Sequence, residues 1–222
     1  IQIPDNVAVP GWAQPHMSDL SYLRDLANRC GGVFFIDPPD ENETRRAYFG
    51  PLTYGPAVDA ALCLQAGPGG NVLTASFSLD AERPLAVEGH RFNKKDTAAL
   101  PAYQPQPFKE LSANPVAPQR IQLLSGPFAH ESTLAEQMAR ATVAATKPTV
   151  TAQISLDTQA YGAVLLPRQL VDVQGAGPHY EGTYYIESVT HQLTVGNGRY
   201  IQNVKLAREG LGVRDTNAGG LR

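Results

Sequence analysis

Histidines are the residues of this sequence best suited to bind a transition metal, and their spacing argues against that role. The five are His16, His90, His130, His179 and His191. A helical metal pair needs two histidines four residues apart, and neither that spacing nor an HExxH motif occurs. We therefore predict no metal site and interpret these side chains as surface or hydrogen-bonded histidines.

Two turn-like stretches could in principle hold an ion or a phosphate. Asp37, Asp40, Glu41 and Glu43 could face a hard cation, but they lack the DxDxDG order and the bidentate glutamate of a calcium loop. The Gly-Pro-Gly-Gly run at residues 67–70 lacks the Gly-Lys-Ser/Thr ending that a phosphate-binding loop requires. We interpret both stretches as turns.

Catalytic motifs are also missing from the sequence. It contains no GxSxG elbow, no Ser/His/Asp order that spacing alone would support, and no acid pair on strands flanking a groove. We therefore predict no catalytic, cofactor-binding or metal-binding residues, no cofactor, and a function other than that of an enzyme.

Composition limits the remaining function classes. The 222 residues are 42% hydrophobic and 18% charged, which is typical of a globular protein with one large or two small cores. A net charge of −3 argues against specific nucleic-acid binding, and no apolar run reaches the roughly 18 residues of a membrane-spanning helix. Cys30 and Cys63 are the only cysteines, too few for a disulfide framework.

The first half of the chain predicts a small α+β unit followed by strands. A proline-punctuated lead-in precedes a helix that begins at Ser18 or Asp19 and presents Leu23 and Leu26 on its buried face. A strand from Val33 to Ile36 and a second strand complete the subdomain over residues 1–66. Residues 67–92 contain two alternating strands, which we expect to finish a barrel that begins upstream of the chain.

A polar, proline-rich stretch over residues 93–130 predicts an extended connector without helix or central strand. Residues 131–210 then predict a helix and a tube-like barrel. The helix begins with a capping box, Thr133 and Glu136, and its inner face is mostly alanine, with Leu134, Met138, Ala141 and Ala145 at helical spacing. Residues 211–222 are too polar to fold alone, which predicts a flexible tail.

The clearest single pattern is a β-hairpin over residues 182–212. Alternation of polar and apolar residues runs from Tyr184 to Leu193 and again from Tyr200 to Ala207, and Gly196-Asn197-Gly198 supplies a tight turn between them. Together the patterns predict a mainly β, α+β fold with one or more tube-like antiparallel barrels, packed helices and a small α+β subdomain.

The hairpin resembles the last hairpin of the phage late-control D proteins and of the VgrG-like hubs of contractile injection systems. Its residues Gly182, Tyr184, Tyr185, Ile186, Ser188, Val189 and His191 match a G-x-Y-Y-V-x-S-V-x-H strand, and Leu206, Arg208 and Gly210 match a Leu-x-Arg-x-Gly ending. A second match covers the helix from Ser18 to Ala27 and the strand from Gly31 to Asp37.

This resemblance implies a structural protein of a phage tail baseplate, or of a related injection particle, assembled in the host cytoplasm. It further implies a homotrimer in which each subunit supplies two tube-like barrels, so that a threefold molecule matches a hexameric tail tube on one side and a spike protein on the other. The tape-measure protein and other baseplate components are further expected partners. The alanine-faced helix and the hairpin are the expected contact elements.

One alternative stays open, namely a tail-associated carbohydrate-binding module or cell-wall hydrolase. Such a function would need a groove with exposed aromatic side chains, for which Trp12, Tyr180, Tyr184 and Tyr185 are the candidates. The tyrosines point in alternating directions along a strand, so they do not form one stacking surface.

Overall fold

The computed structural model describes residues 16–29, 32–37, 43–64, 69–92, 97–103, 110–124, 132–194, 196 and 198–214. Its elements, in chain order, are α1 (Asp19–Arg29), β1 (Gly32–Ile36), β2 (Ala47–Pro51), β3 (Leu62–Cys63), β4 (Val72–Leu79), β5 (Leu85–Phe92), β6 (Thr97–Tyr103), β7 (Ser112–Pro115), β8 (Arg120–Leu124), α2 (Ser132–Thr146), β9 (Val150–Asp157), α3 (Thr158–Tyr161), β10 (Leu170–Gln174), β11 (Gly182–Thr194), β12 (Arg199–Arg208) and β13 (Gly210–Val213). This is the mainly β, α+β fold class that the sequence predicts.

Two compact units share these elements, and the chain passes from one to the other more than once. The first unit comprises Ile1–Leu52, Leu85–Gln106 and Pro118–Thr146, and the second comprises Thr53–Pro84, Pro107–Ala117 and Lys147–Arg222. Each unit is therefore built from segments that are distant in sequence.

The first unit contains helices α1 and α2 and two small sheets. Ser18 caps α1, since its hydroxyl accepts the Ser21 N–H at 3.3 Å, and the helix packs on β1 of the antiparallel pair β1–β2. Leu23 and Leu26 are only half-buried in that contact, whereas the smaller Ala27 is fully buried. Both leucines therefore lie on the covered side of α1, and the residue of that side with no exposed surface is Ala27.

Helix α2 packs on β5 of the three-stranded sheet β6-β5-β8, with Ala139 and Val143 buried against Val87. The predicted inner face is displaced, because Ala145 is exposed and Ala141 only half-buried. The side chains of Thr133 and Glu136, and hence the capping box, lie outside the described residues, as does the predicted helix end at Gly31.

The second unit contains the largest sheet, whose strands follow the order β3-β10-β11-β12-β9-β4. It curls into a half-barrel and is antiparallel except where β3 runs parallel to β10. Asn71 ties the start of β4 to β3, donating its N–H to the Cys63 carbonyl at 3.2 Å and accepting the Cys63 N–H at 2.9 Å through its side chain. The separate pair β7–β13 completes this unit.

The core of the second unit fills the inner face of this sheet. Strand β9 shows the predicted alternation, with Val150, Ala152, Ile154 and Leu156 all buried. The other fully or almost fully buried apolar members are Leu62, Tyr161, Leu165, Val171, Val173, Tyr184, Ile186, Val204 and Leu206. The inside of the half-barrel is thus packed with side chains.

The middle strands show two features that the sequence patterns do not specify. Residues 93–130 are not a plain connector, because β6, β7 and β8 lie within them and pair with β5 and β13. The two strands within residues 67–92 do not join each other either: β4 pairs with β9 and β5 with β6 and β8. Each strand thus has a partner within this chain, and that the two strands also complete an upstream barrel stays a prediction.

The predicted hairpin is present, with a β-bulge that the alternation does not reveal. Strands β11 and β12 pair antiparallel, but Ile186 pairs with Leu206 and Ser188 with Lys205, so that Glu187 is an extra residue. Its side chain forms an ion pair with Lys205 at 2.8 Å. The bulge keeps Val189 on the core side of the sheet after Tyr184 and Ile186.

Candidate functional site

A buried polar cluster of the second unit lies where β12 ends, and we call Arg208, Glu209 and Gly210 the clasp. Arg208 is the last residue of β12, Gly210 the first residue of β13, and all three are buried. Buried charged groups need compensating partners, so the surroundings of the clasp decide whether it can do chemistry.

Arg208 is 2% exposed and is held by carbonyl oxygens and an aromatic ring. It donates to the carbonyl of His179 at 2.6 Å and to the carbonyl of Glu181 at 2.8 Å. Its guanidinium carbon lies 4.3 Å from the centre of the Tyr184 ring, a cation–π geometry. Arg208 thereby fixes the turn before β11 to the end of β12.

Glu209 is 4% exposed and binds the strand segment around β7. One carboxylate oxygen accepts the backbone N–H groups of Leu111 and Ser112, the latter at 2.8 Å, and also the Ser112 hydroxyl at 3.2 Å. The backbone carbonyl of Glu209 also accepts a hydrogen bond, from the Val116 N–H at 3.0 Å. Glu209 therefore holds both ends of β7 beside β13.

Gly210 allows β13 to approach β7 closely. A Cβ at this position would lie 2.0 Å from the Asn114 carbonyl oxygen and 2.6 Å from the Cα of Pro115. No side chain fits at those distances, so the pairing of β13 with β7 requires glycine here.

Titratable groups around the clasp are shifted mainly by burial. Burial raises the pKa of Tyr184 to about 12, with Arg208 opposing the shift. Burial, together with the charge of Glu209, also raises the pKa of the Tyr54 hydroxyl. Burial lowers the pKa of Lys147, while the carboxylates of Glu209 and Glu110 oppose that change. The two tyrosines consequently remain neutral at physiological pH.

The clasp stabilises structure and offers no reactive group. Glu209 uses one oxygen for three hydrogen bonds, and the Arg208 guanidinium faces carbonyl oxygens and a ring. Within the described parts of the chain, no group of three or more His, Cys, Asp or Glu side chains could hold a metal ion. The geometry is that of a buried connection between strands.

We expect Glu209→Gln to lower the free energy of unfolding by about 1–2 kcal/mol, because the amide keeps the shape but weakens three charge-assisted hydrogen bonds. Urea denaturation followed by circular dichroism measures this change. Glu187→Gln is the matched control, since Glu187 makes only the partly exposed ion pair with Lys205 and should change stability by less than about 1 kcal/mol. Equal effects of the two substitutions would show that Glu209 holds nothing in place.

The histidines considered for metal binding are dispersed. His16 and His179 are exposed, and His191 Nδ1 lies 2.9 Å from the Tyr200 hydroxyl. His90 lies in β5, where its side chain is not described, and His130 falls outside the described residues.

The acidic and glycine-rich turns are described only in part. The Asp37 N–H donates to the Arg46 carbonyl at 2.9 Å, which closes the β1–β2 connection. Glu43 is exposed with a φ of 59°, and the other two acids, Asp40 and Glu41, lie outside the described residues. Gly69 is exposed, and the first part of its glycine-rich run also falls outside that range.

The aromatic candidates for sugar stacking are used inside the protein. Tyr184 is fully buried, and its hydroxyl donates to the Tyr180 carbonyl at 2.8 Å. The Tyr180 ring stacks on Phe77 with ring centres 5.0 Å apart, and Tyr185 packs on Tyr54 at 5.3 Å. Trp12 lies outside the described residues.

A second feature is the outer face of β11, β12, β9 and β4, which we call the polar face. Eight side chains form two rows across the four strands: Ser188, Lys205, Gln153 and Ser76 in one, and Thr190, Asn203, Ser155 and Thr74 in the other. They line a shallow groove of about 380 Å³. The one cation, Lys205, is paired with Glu187, so the rows present mainly hydroxyl and amide groups.

The Leu-x-Arg-x-Gly motif identified Arg208 and Gly210, but sequence reasoning missed Glu209 and the burial of Arg208, although one signal for that burial was available. Gln202, Val204, Leu206 and Arg208 alternate along β12 and are all buried. A charged residue at the end of such a buried series indicates a buried arginine with dedicated partners. Glu209 has no comparable signal, because its partners lie 97 and 98 residues away.

None of the helices in the described residues is long and apolar enough to cross a membrane. No protein-family model and no curated protein sequence matches the chain.

Solved structures do match. The tail protein of Neisseria meningitidis MC58 has a TM-score of 0.57 at 15% identity, over 91% of this chain and 60% of that one. The 43 kDa tail protein of prophage MuSo2 from Shewanella oneidensis gives 0.46 at 15% identity, over 83% and 50% of the two chains. A chain of the native gene transfer agent virion gives 0.39 at 18% identity, over 85% and 38%. The chain therefore shares the fold of the Neisseria tail protein and spans 60% of its length.

Proposed function

We propose that this chain is a structural hub or adaptor of a phage tail or of a related contractile injection machine, and that it acts without catalysing a reaction. The observation that carries the proposal is the fold shared with the Neisseria tail protein, which extends over 91% of the chain. At 15% identity the similarity concerns the backbone fold, so the role itself rests on that fold together with the sequence motifs.

The residues of the Leu-x-Arg-x-Gly motif support this proposal, because each of them stabilises the fold. Leu206 is fully buried in the core, Arg208 fixes the turn before β11, and Gly210 admits β13 beside β7. The Leu-x-Arg-x-Gly motif is thus used to hold strands together. Such a use suits a protein whose task is to keep a fixed shape within a larger assembly.

We propose a homotrimer placed in the tail baseplate of a virion or injection particle. Its ring of subunits would meet a hexameric tail tube protein on one face and a spike protein on the other, with the tape-measure protein and other baseplate components as further partners. Ring contacts between identical subunits are heterologous and end when the ring closes. The exposed end of the β11–β12 hairpin, where Leu193 is 72% exposed, is available for such contacts.

The alternative of a carbohydrate-binding module or cell-wall hydrolase gains no support from the described aromatic residues. Tyr184 is in the core, and Tyr180 and Tyr185 pack on other rings of this chain. A sugar-stacking surface would need exposed rings on one face.

We expect the purified chain to have three times its monomer mass of 23.9 kDa in solution, because a trimer is the state that the hub role requires. Native mass spectrometry and light scattering across a dilution series measure this directly. Binding of peptidoglycan-derived and neutral oligosaccharides, followed by calorimetry, serves as the comparison. A monomer at all concentrations that binds an oligosaccharide would overturn the hub proposal and favour the carbohydrate-binding alternative.

A further inference from the structure

The six-stranded sheet of the second unit has two long strand edges that no described strand covers. β4 ends the strand order and pairs as a strand only with β9, while Asn71, directly before it, bonds to Cys63 of β3. On the other side, β10 pairs with β11 only over Gly182–Tyr185, and backbone bonds with the preceding loop continue as far as Ile186. In the described part of the chain, the outer edge of β11 is therefore open over residues 187–194.

Apart from one β-bulge near an end of each edge, at Leu73 in β4 and at Glu187 in β11, neither edge carries the features that keep edge strands apart. Lysine, proline or an inward-pointing charge on an edge normally prevents further pairing. Val72–Leu79 contains no charged residue, no proline and no glycine, and residues 187–194 contain one carboxylate, Glu187, already paired with Lys205. Exposed neutral edges of this length recruit another strand.

The two edges also match in length, direction and pattern. Each is eight residues long, and β4 runs antiparallel to β11 because three antiparallel pairings separate them. Both place hydroxyl side chains on the polar face, with Ser76 on β4 and Thr190 on β11. Both place an apolar side chain, Phe77 and Val189 respectively, against the core.

We propose that the outer edge of β4 pairs antiparallel with residues 187–194 of β11 in a second copy of this chain, so that the sheet continues from copy to copy. Aligning the edges end to end places Ser76 opposite Thr190 and Phe77 opposite Val189, each on its matching face. The contact joins two different surfaces, so repetition yields a ring or a filament.

This inference names the contact within the proposed assembly and in that respect rests on the proposed function. A second copy is the occupant that both edges require at once, because each edge supplies the partner that the other lacks. The pair Ser76–Thr190 on the polar face and the pair Phe77–Val189 on the core face are cross-strand pairs of the kind that stabilise a sheet.

A disulfide between the edges tests the pairing. The variant carries Ser76→Cys and Thr190→Cys in a Cys30→Ser, Cys63→Ser background. Within one chain these positions lie three strand spacings apart, about 14 Å, too far for a disulfide. We expect mild oxidation to give covalent dimers and larger species on a non-reducing gel. The matched control carries Gln153→Cys in place of Ser76→Cys. Gln153 lies on the central strand β9, which is paired on both sides, so this variant should give no cross-link.

A charge on the edge provides a second measurement. Ser76→Glu should weaken association between copies at least tenfold, while Gln153→Glu, directly opposite it on the central strand, should leave association unchanged. Both positions are exposed, so the thermal midpoint of each variant reports whether the fold is intact.

The outcomes separate this inference from the hub proposal. Cross-linking by the edge pair alone, with the loss of association in Ser76→Glu, supports the strand pairing. A trimer that gives no cross-link and tolerates Ser76→Glu overturns the pairing and leaves the hub proposal standing. A monomer without cross-links at any concentration overturns both.

Discussion

Replacing Gly210 by alanine should lower the free energy of unfolding by about 3 kcal/mol or more, the largest change that we expect from a single methyl group in this chain. The new Cβ would lie 2.0 Å from the Asn114 carbonyl oxygen and 2.7 Å from its carbonyl carbon. Both are backbone atoms, which cannot rotate away as a side chain can. The pair β7–β13 must therefore separate, and Glu209 must lose part of its contact with Ser112.

Thermal and urea denaturation measure this loss, which corresponds to a decrease of about 6–12 °C in Tm for a chain of this size. Gly69→Ala is the matched control, because a Cβ there meets no atom within 4 Å. We expect the control to unfold within about 0.5 kcal/mol of the natural sequence. Similar midpoints for the two variants would refute the close approach of β13 to β7.

Replacing Arg208 by methionine should lower the free energy of unfolding by about 2–3 kcal/mol. Methionine preserves most of the apolar stem beside Tyr184, so the change mainly removes the donors to the carbonyls of His179 and Glu181. Hydrogen bonds to a charged donor are stronger than neutral ones, and here they hold the turn that leads into β11. Hydrogen exchange should show faster exchange in that turn.

Lys205→Met provides the comparison, since it also replaces a positively charged residue of β12 by methionine. Lys205 is exposed and forms one ion pair with Glu187, so its loss should change stability by less than about 1 kcal/mol. If the Arg208→Met and Lys205→Met variants were equally stable, the guanidinium group of Arg208 would contribute nothing to stability beyond the packing of its apolar stem. Arg208→Lys should recover only part of the stability, because the lysine ammonium group lacks the planar guanidinium with which arginine bonds to both carbonyls.

Local patterns predict the parts of the fold that depend on near neighbours in sequence. The period-two alternation identifies β9 and the β11–β12 hairpin, because one face of each strand must be apolar to cover the core. Ser18 identifies the start of α1 through its cap. The fold class follows from these elements.

The remaining parts depend on partners far away in the chain. Strand β7 is a short polar segment that is stable because Glu209 and β13, about 97 residues later, supply its hydrogen bonds. Prolines at 101 and 115 suggest a connector, yet β6 and β7 each accommodate one near their ends. Glu209 of the clasp was missed for the same reason, because no local spacing encodes its contact with Ser112.

The interleaving of the two units has a consequence for the order in which the protein is synthesised. Strand β4 is complete at Leu79, but its partner β9 begins only at Val150, about 70 residues later. At translation rates of about 5–20 residues per second, β4 waits about 4–14 s on the ribosome without its native neighbour. The first unit, whose last segment ends at Thr146, is fully synthesised just before that interval ends, whereas the half-barrel and the clasp must wait until Gly210 has emerged. Nascent chains held before that point should therefore bind chaperones through the neutral, apolar residues of β4.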